Sequence, residues 1–536
     1  MKQSFPVIDL FAGPGGLGEG FSRYPLGETE KVFRIAVSIE KDPFAHETLT
    51  LRAFFRQFPE GQAPAEYYKY LECRITRDEL FRAYPDEAEA AKCEAQLRTL
   101  GDDPEITNII GARVRGHKDW VLIGGPPCQA YSLAGRSRML GLVQGYGESD
   151  EAFELRKKQN HKRFEGDHRH TLYREYLKII ADHSPPVFVM ENVKGILSAK
   201  LGGELIFPRI IKDLECPVNA LGQGRPQVRY RIHSLVPPKS GMLDDCLEPQ
   251  DYLIRAEDYG VPQSRHRVIL VGIRVDYDQG ILMPLAMQAA PSVRQTIRDL
   301  PPLTPGLSQG EGLLPAVALK EIRNHPAWKQ FASDPVHAEV AQRMARDLDK
   351  IRKRENRGGL SVDLATMPED PWYIDPALHV TVNHETRSHI REDLWRYFFC
   401  ACYAEVHKRA PVLRDFPKFL YPNHRNVDDA VTGQKFGDRF RVQCWERPAT
   451  TITSHISKDG HYFIHPDIRQ YRSLTVREAA RLQTFPDNYR FEGPRTQQFH
   501  QVGNAVPPKL AYQIAERVAR IIKSQSRYLK TLANHE

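Results

Sequence analysis

No apolar run in the chain approaches the roughly eighteen residues needed to cross a bilayer, so no membrane span is expected. Cysteine is scarce. The eight in 536 residues, at 73, 93, 128, 216, 246, 400, 402 and 444, are too dispersed for a disulfide scaffold and fit a reducing, cytoplasmic setting. Cys400 and Cys402 form the one close pair. With His384 and His389 they make four ligands on paper, but no second Cys-x-x-Cys pair accompanies them and their segment, Trp395 to Cys402, is aromatic. Core cysteines and no metal are expected. No cationic stretch precedes the apolar residues Pro6 to Phe11, so a secretory leader is not expected. Internal repeats and long low-complexity tracts are absent, and Gly-Lys-Ser/Thr does not follow the early glycines, which excludes a P-loop. Charge of one sign is also missing: 75 bases against 68 acids leave a net +7, a mild bias toward a polyanionic partner.

What is present reads as a large α/β protein of more than one domain. A buried strand, Val7 to Phe11, breaks into Gly13-Pro14-Gly15-Gly16-Leu17-Gly18, and a second strand, Val32 to Ile39, ends at Glu40. A helix is expected around Ala45 to Phe58. The charged, Tyr-rich segment from about 64 to 100 reads as an insertion between core elements. Strand signals return at Trp120–Ile123, Val187–Met190 and Arg267–Val271, with a helix around Leu172 to Ala181, as a mostly parallel sheet with crossovers requires. The character changes near 275. Proline, glycine and scattered histidines follow, with a cationic run from Arg343 to Arg357 that suits a solvated helix face as well as a DNA backbone. Regularity resumes at Leu474 to Leu482 and in the apolar-periodic helix Leu510 to Ile522.

Three strand ends carry chemistry. Glycines at a strand exit let a ligand approach backbone N–H groups, and Glu40 ends the next strand, where a carboxylate can accept from ribose hydroxyls. By itself this fits NAD, FAD or S-adenosylmethionine. Gly124-Gly125-Pro126-Pro127-Cys128-Gln129 follows the strand 120–123 directly, so two prolines stiffen the presentation of a thiol at a sheet's carboxyl edge. Glu191-Asn192 leaves the strand 187–190 at the same edge. In Gln263-Ser264-Arg265-His266-Arg267 the alternate residues share one face, and the three edges suggest one cleft.

The ordered series Asp9-Leu10-Phe11-Ala12-Gly13, Pro126-Pro127-Cys128-Gln129, Glu191-Asn192-Val193, Gln263 to Arg267, Val476 to Pro486 and Gln501-Val502-Gly503-Asn504-Ala505-Val506 resembles the DNA (cytosine-5)-methyltransferases. The resemblance implies an α/β, Rossmann-like mixed sheet of S-adenosylmethionine-dependent methyltransferase type with an inserted smaller target-recognition domain. A catalytic and cofactor-binding domain would span 1–285, with the 64–100 insertion. The recognition domain would span 286–473, and residues 474–536 would return to the catalytic domain. Cys128 would attack C6 of a flipped cytosine, with Glu191 hydrogen-bonded to N3 and the exocyclic amine and Asn192 holding the local backbone. Arg265 would bind O2 and orient Glu191, and Arg267 would buttress both. Phe11, Gly13, Gly15, Glu40, Asp102, Pro126, Asn504 and Val506 would line the site of S-adenosyl-L-methionine, with Asp103 an equally acidic alternative to Asp102.

The implied partner is double-stranded DNA in the nucleoid, approached by a monomer, with any restriction nuclease or defence protein encoded separately. A loop from Arg136 to Arg169 contains Arg136, Arg138, Lys157, Lys158, Lys162, Arg163 and Arg169 and could close over DNA. An NAD oxidoreductase would leave Pro126 to Gln129 and the 263–267 pattern unused. A transfer-RNA enzyme of the same family would carry a Cys-Phe-Thr segment that this chain lacks, and a noncatalytic regulator would have lost the thiol, the glutamate or the glycines.

Overall fold

The computed structural model describes the chain except residues 1–3, 26–30, 128–170, 202–203, 223–227, 238–246, 279, 281, 309–311, 354, 365, 424–426, 428–436, 459 and 534–536. Cys128 and the cationic loop 136–169 therefore lie outside the described residues.

A central sheet is built from β1 (Phe5–Leu10), β2 (Phe33–Glu40), β3 (Ala95–Leu97), β4 (Val121–Gly124), β5 (Val187–Val193), β6 (Tyr230–His233), β7 (Leu253–Arg255) and β8 (His266–Arg274). Their spatial order is β3-β2-β1-β4-β5-β8-β6, with β7 also pairing with β8. The first five are mutually parallel. β8 runs antiparallel to β5, β6 and β7. This is a mixed, Rossmann-like sheet, of the kind the resemblance implies, with a smaller domain inserted after β8.

The near-continuous apolar runs of the central strands follow from burial on both faces. One face packs on α6 (Glu105–Val114) through Ile106 and Ile110 and on α7 (Thr171–His183) through Tyr176, Leu177 and Ile180. The other face takes α1 (Gly16–Arg23) and the terminal helix Pro508–Ala533, whose Leu510, Ala511, Ile514, Ala515, Val518, Ala519 and Ile522 repeat at helical spacing and are all buried.

The 64–100 insertion needs redrawing. Three helices, Ala65–Leu71, Arg77–Ala83 and Pro85–Glu94, pack with α2 (Pro43–Arg56), but β3 is the edge strand of the central sheet. Three residues are too short to show an alternation that sequence reading can detect. The same cluster includes Leu378, Val380 and Val382, so the inserted helices touch the region beyond 286. Tyr68 donates to Asp375 at 3.0 Å, and Asn488 donates to the same carboxylate at 2.7 Å.

The region 286–473 has its own core, in which the helices Pro315–Lys320, Ala338–Leu348 and Arg391–His407 surround Phe398, Phe399, Cys400 and Cys402. Burial pushes both thiols well above the ordinary cysteine value, as expected for inert core residues. The expected boundary at 474 is not a packing boundary. Val293, Ile297, Leu300, Ala449, Ile452 and Ile456 share a core with the helices Val476–Leu482 and Arg495–Asn504.

His384 sits in this seam with both ring nitrogens engaged. Nε2 donates to the Pro301 carbonyl at 2.8 Å, which leaves Nδ1 to accept from the Thr475 hydroxyl at 2.9 Å. Burial lowers its pKa from 6.5 to about 4, and that of buried His389 to about 3. The unfolded chain takes up protons below pH 6.5 that these folded rings refuse, so stability falls as pH drops from 6.5 toward 4. Near pH 5 the loss should be about 2 kcal/mol per ring. Urea midpoints measured from pH 7.5 to 4.5 should fall accordingly, and His384→Gln should show a shallower fall.

Candidate active site

The carboxyl ends of β1 and β2 make one wall. Phe11 and Gly13 leave β1 with φ of +56° and +57°, and Gly15 follows at +94°. A β-branched or bulky residue pays steric strain there, so Phe11 marks a backbone that the surrounding structure holds in place. A side chain added at Gly13 would point into open space, while one at Gly15 would meet Leu49 and Tyr489. The Tyr489 hydroxyl donates to the Pro14 carbonyl beneath the loop.

Glu40 closes the turn. Its Oε2 accepts from Gly13 N at 2.8 Å, and Oε1 accepts from the backbone N–H groups of Lys41 and Asp42 at 2.9 and 2.8 Å. Helix α1 begins at Gly16 with no side-chain cap, so its first N–H groups remain available to a ligand. An open cradle at Gly13, an uncapped helix start and an oriented carboxylate fit an amino-acid and ribose bearing cofactor.

Asp102 follows the strand next to this wall. β3 ends at Leu97, the register partner of Glu40, and Asp102 lies beyond it on an exposed turn. Asp103 is spent locally, accepting from Arg98 and from Glu105 N.

β4 and β5 make the second wall. Pro126 follows β4 and its carbonyl accepts a long, 3.5 Å contact from Asn192 Nδ2, whose Oδ1 accepts from Val193 N at 2.9 Å. Glu191 reaches across from β5. Its Oε1 lies 2.8 Å from Arg267 Nε, as an ion pair rather than an aligned hydrogen bond. Its Oε2 lies so near Gly125 that a Cβ there would come within 2.9 Å. The carboxylate is thereby held three residues ahead of position 128.

Arg265 and Arg267 have exchanged their expected parts. Arg267, half-buried, contacts Glu191. Arg265 is only 1% exposed and donates to the carbonyls of Ile452 at 2.8 Å and Gly503 at 3.3 Å. Burial first, and the Arg267 cation second, lower its pKa well below the ordinary arginine value. The reason is that β8 starts at His266. Before it, Gln263–Ser264 leaves the sheet to pair with Ala449–Thr450, so alternation does not carry through 263, 265 and 267.

The last segment is brought in by the same contacts. Buried Gln263 accepts from Ile452 N and donates to Gln483, and Gln483 donates to the Ala505 carbonyl. Asn504 is exposed, with its amide beside His500, and Val506 is buried against the core under α1. Sequence reading missed Gly125, Gln483 and Tyr489. The first two stand inside recognised motifs without any sign of their contacts, and Tyr489 carries no signal of its own.

A family model described as C-5 cytosine-specific DNA methylase matches residues 105–233 and 248–520. The type II methyltransferase M.Bpa9945I of Bacillus paralicheniformis is 33% identical over 540 residues, covering 96% of this chain and 99% of its own. The type II methyltransferase M.AgeI of Thalassovita gelatinovora is 25% identical, with coverage of 96% and 98%. The DNA (cytosine-5-)-methyltransferase M.ApeKI of Aeropyrum pernix is 25% identical, with coverage of 97% and 99%. With this match across the sheet, its inserted domain and the returning segment, the chain belongs to the C-5 cytosine-specific DNA methylases and transfers a methyl group from S-adenosyl-L-methionine to DNA cytosine.

Proposed function

We propose that this enzyme methylates C5 of a flipped cytosine within a specific duplex sequence and so protects host DNA, as the modification arm of a restriction or phage-defence system. Two full-length relatives named type II methyltransferases support that setting. A nuclease would then be a separately encoded partner, and the monomer would suffice for catalysis in the nucleoid.

The observation that carries the site assignment is the Glu191 carboxylate, fixed between Arg267 and Gly125 just ahead of Cys128. C5 of cytosine is a weak nucleophile while the ring is aromatic. The Cys128 thiolate adds to C6, and the electron pair moves toward N3, where Glu191 directs a proton. Arg267 keeps that carboxylate aimed. C5, now enamine-like, bonds to the methyl carbon as the methyl–sulfur bond breaks and its electron pair leaves on sulfur as the neutral thioether of S-adenosylhomocysteine. A base then removes the C5 proton, and elimination returns the thiolate of Cys128. The donor supplies an electrophilic sulfonium methyl. Phe11, Gly13, Gly15, Glu40, Asp102, Pro126, Asn504 and Val506 would hold it. A target atom stacked inside a duplex is out of reach, so the base must leave the helix.

Residues 286–473 would read the sequence. Within the cationic run Arg343 and Lys350 are both tied to Asp347, and Arg357 donates to the Thr386 carbonyl. Among the described residues, exposed Arg346, Arg352 and Lys353 are the members left for phosphate contact. Exchanging this region with that of a relative should transfer the methylated sequence.

Cys128→Ser should stay folded and bind S-adenosylmethionine but lose transfer, because a serine hydroxyl is hardly ionised near neutral pH. A duplex with 5-fluorocytosine at the target should trap the wild-type protein covalently, since fluorine removes the departing proton. Glu191→Gln should slow trapping while keeping cofactor affinity. Intact mass and peptide mapping read both effects, and an adduct on another cysteine would overturn the assignment.

The two arginines should separate by readout. Arg267→Met should cut methyl transfer by about 100-fold with little change in cofactor affinity. Arg265→Met should instead lower stability by about 2 to 4 kcal/mol, because two buried carbonyls lose their donors. Single-turnover transfer and thermal unfolding distinguish them.

A further inference from the structure

One carboxylate at the edge of the cofactor wall is unused by this chemistry. Asp9, the penultimate residue of β1, is 1% exposed, and its carboxyl has no side-chain hydrogen-bond partner, the Gly18 backbone N–H being the donor that faces it. Its register partner on β2 is Ser38, equally buried, whose hydroxyl is unpartnered. Ser38 and Glu40 stand two apart on one strand and so share a face. The Asp9 Oδ2 lies against Gly18, where a Cβ would come within 2.9 Å, so the carboxyl takes the space that a side chain at position 18 would need.

Two polar groups facing each other in a core without side-chain partners are costly unless they satisfy one another, directly or through a trapped water. A protonated Asp9 supplies the missing donor, whereas an ionised one supplies only acceptors. We propose that Asp9 is a positioning residue for the methyl donor. It is held as the neutral acid paired with Ser38 beneath the glycine loop, so that Glu40 alone carries negative charge at that wall and keeps its hold on Gly13.

The surroundings favour the neutral form. Burial is the largest influence on Asp9, and Glu40 on β2 and Glu94 at the end of the Pro85–Glu94 helix also disfavour its charge. Arg56 on α2 and the backbone of Gly18 on α1 act the other way. Arg56 pairs with Glu94 through Nη2 and lies 3.9 Å from Glu19, which is paired with Arg52, while its Nε and Nη1 find no hydrogen-bond partner. Tyr176 on α7 also faces Asp9, and its own ionisation is suppressed. The balance raises Asp9 from 3.8 to about 8. For an acid raised in the folded state, stability declines as pH climbs from the unfolded value toward the folded one, and levels off above it. Ionisation above pH 8 places a second negative charge beside Glu40 and loosens the Gly13 contact.

The proposal rests on the placement of the donor at Gly13 and Glu40. Binding of S-adenosylhomocysteine should be followed by calorimetry between pH 6.5 and 9.5 in the wild type, Asp9→Asn, Ser38→Ala and Glu40→Ala. Wild-type affinity should fall on the order of tenfold across this range relative to Asp9→Asn, which cannot ionise. Ser38→Ala should shift the midpoint of that fall. Asp9→Asn should also raise the melting temperature at pH 8, where a charged, Arg56-paired Asp9 would predict a drop. Identical pH profiles for wild type and Asp9→Asn, or a lower melting temperature for Asp9→Asn at pH 8, would overturn the inference. Undiminished binding by Glu40→Ala would instead refute the placement of the donor.

Discussion

Arg472, Arg477 and Arg481 have essentially no exposure, and the seam between the inserted region and the rest of the chain is organised around them. Taking a guanidinium out of water costs several kcal/mol, and the cost is offset only where nearly every N–H finds an acceptor. Arg472 holds Glu478 at 2.7 and 2.8 Å and the carbonyls of Leu303 and Ser473. Arg481 bridges Asp487 and Asp299, at 2.6 to 2.8 Å, and donates to the Thr296 carbonyl. Arg477 relies on the carbonyls of Val382, Pro486 and Tyr489, with Asp487 at 3.9 Å, and burial pulls its pKa down to about 10. The acceptors come from 296–303, 382 and 486–489, so any displacement of the inserted region strands a buried cation.

The parts of the fold legible in the sequence are those set by local periodicity. Long buried strands and the amphipathic Leu510–Ile522 stripe announced themselves, and the parallel half of the sheet followed. β3, β6 and β7, at three or four residues, did not, because each is held by pairing with a longer neighbour rather than by its own pattern. The limits of the inserted region were equally hidden. Ile452 and Leu474 join one core through tertiary contact alone.

Within the site, residue type was legible and residue role was not. Alternation placed Arg265 and Arg267 together, but a two-residue departure from the sheet separates them. One arginine satisfies carbonyls and the other addresses Glu191. A buried arginine surrounded by carbonyls is an architectural device, since it can tie Ile452 of one segment to Gly503 of another with a single side chain. The catalytic edge thus inherits its position from a residue that never touches it. Gln263 and Gln483 extend that tie to Ala505, next to the residues expected at the donor.

The wall at the carboxyl ends of β1 and β2 is a collection of local deficits. Phe11 occupies a left-handed conformation, and α1 starts without a side-chain cap. Each departs from what the surrounding strand and helix would choose by themselves, and such departures persist only where neighbouring structure over-determines them. Here the restraint comes from both sides: Tyr489 and Glu40 pin the loop from the seam and from β2, while the Leu510–Ile522 stripe clamps α1 from beneath. The unsatisfied groups therefore mark where the fold gives up local stability to keep backbone N–H groups and one carboxylate facing outward. A ligand that meets those groups recovers part of the deficit, which is how a preorganised edge converts strain into affinity.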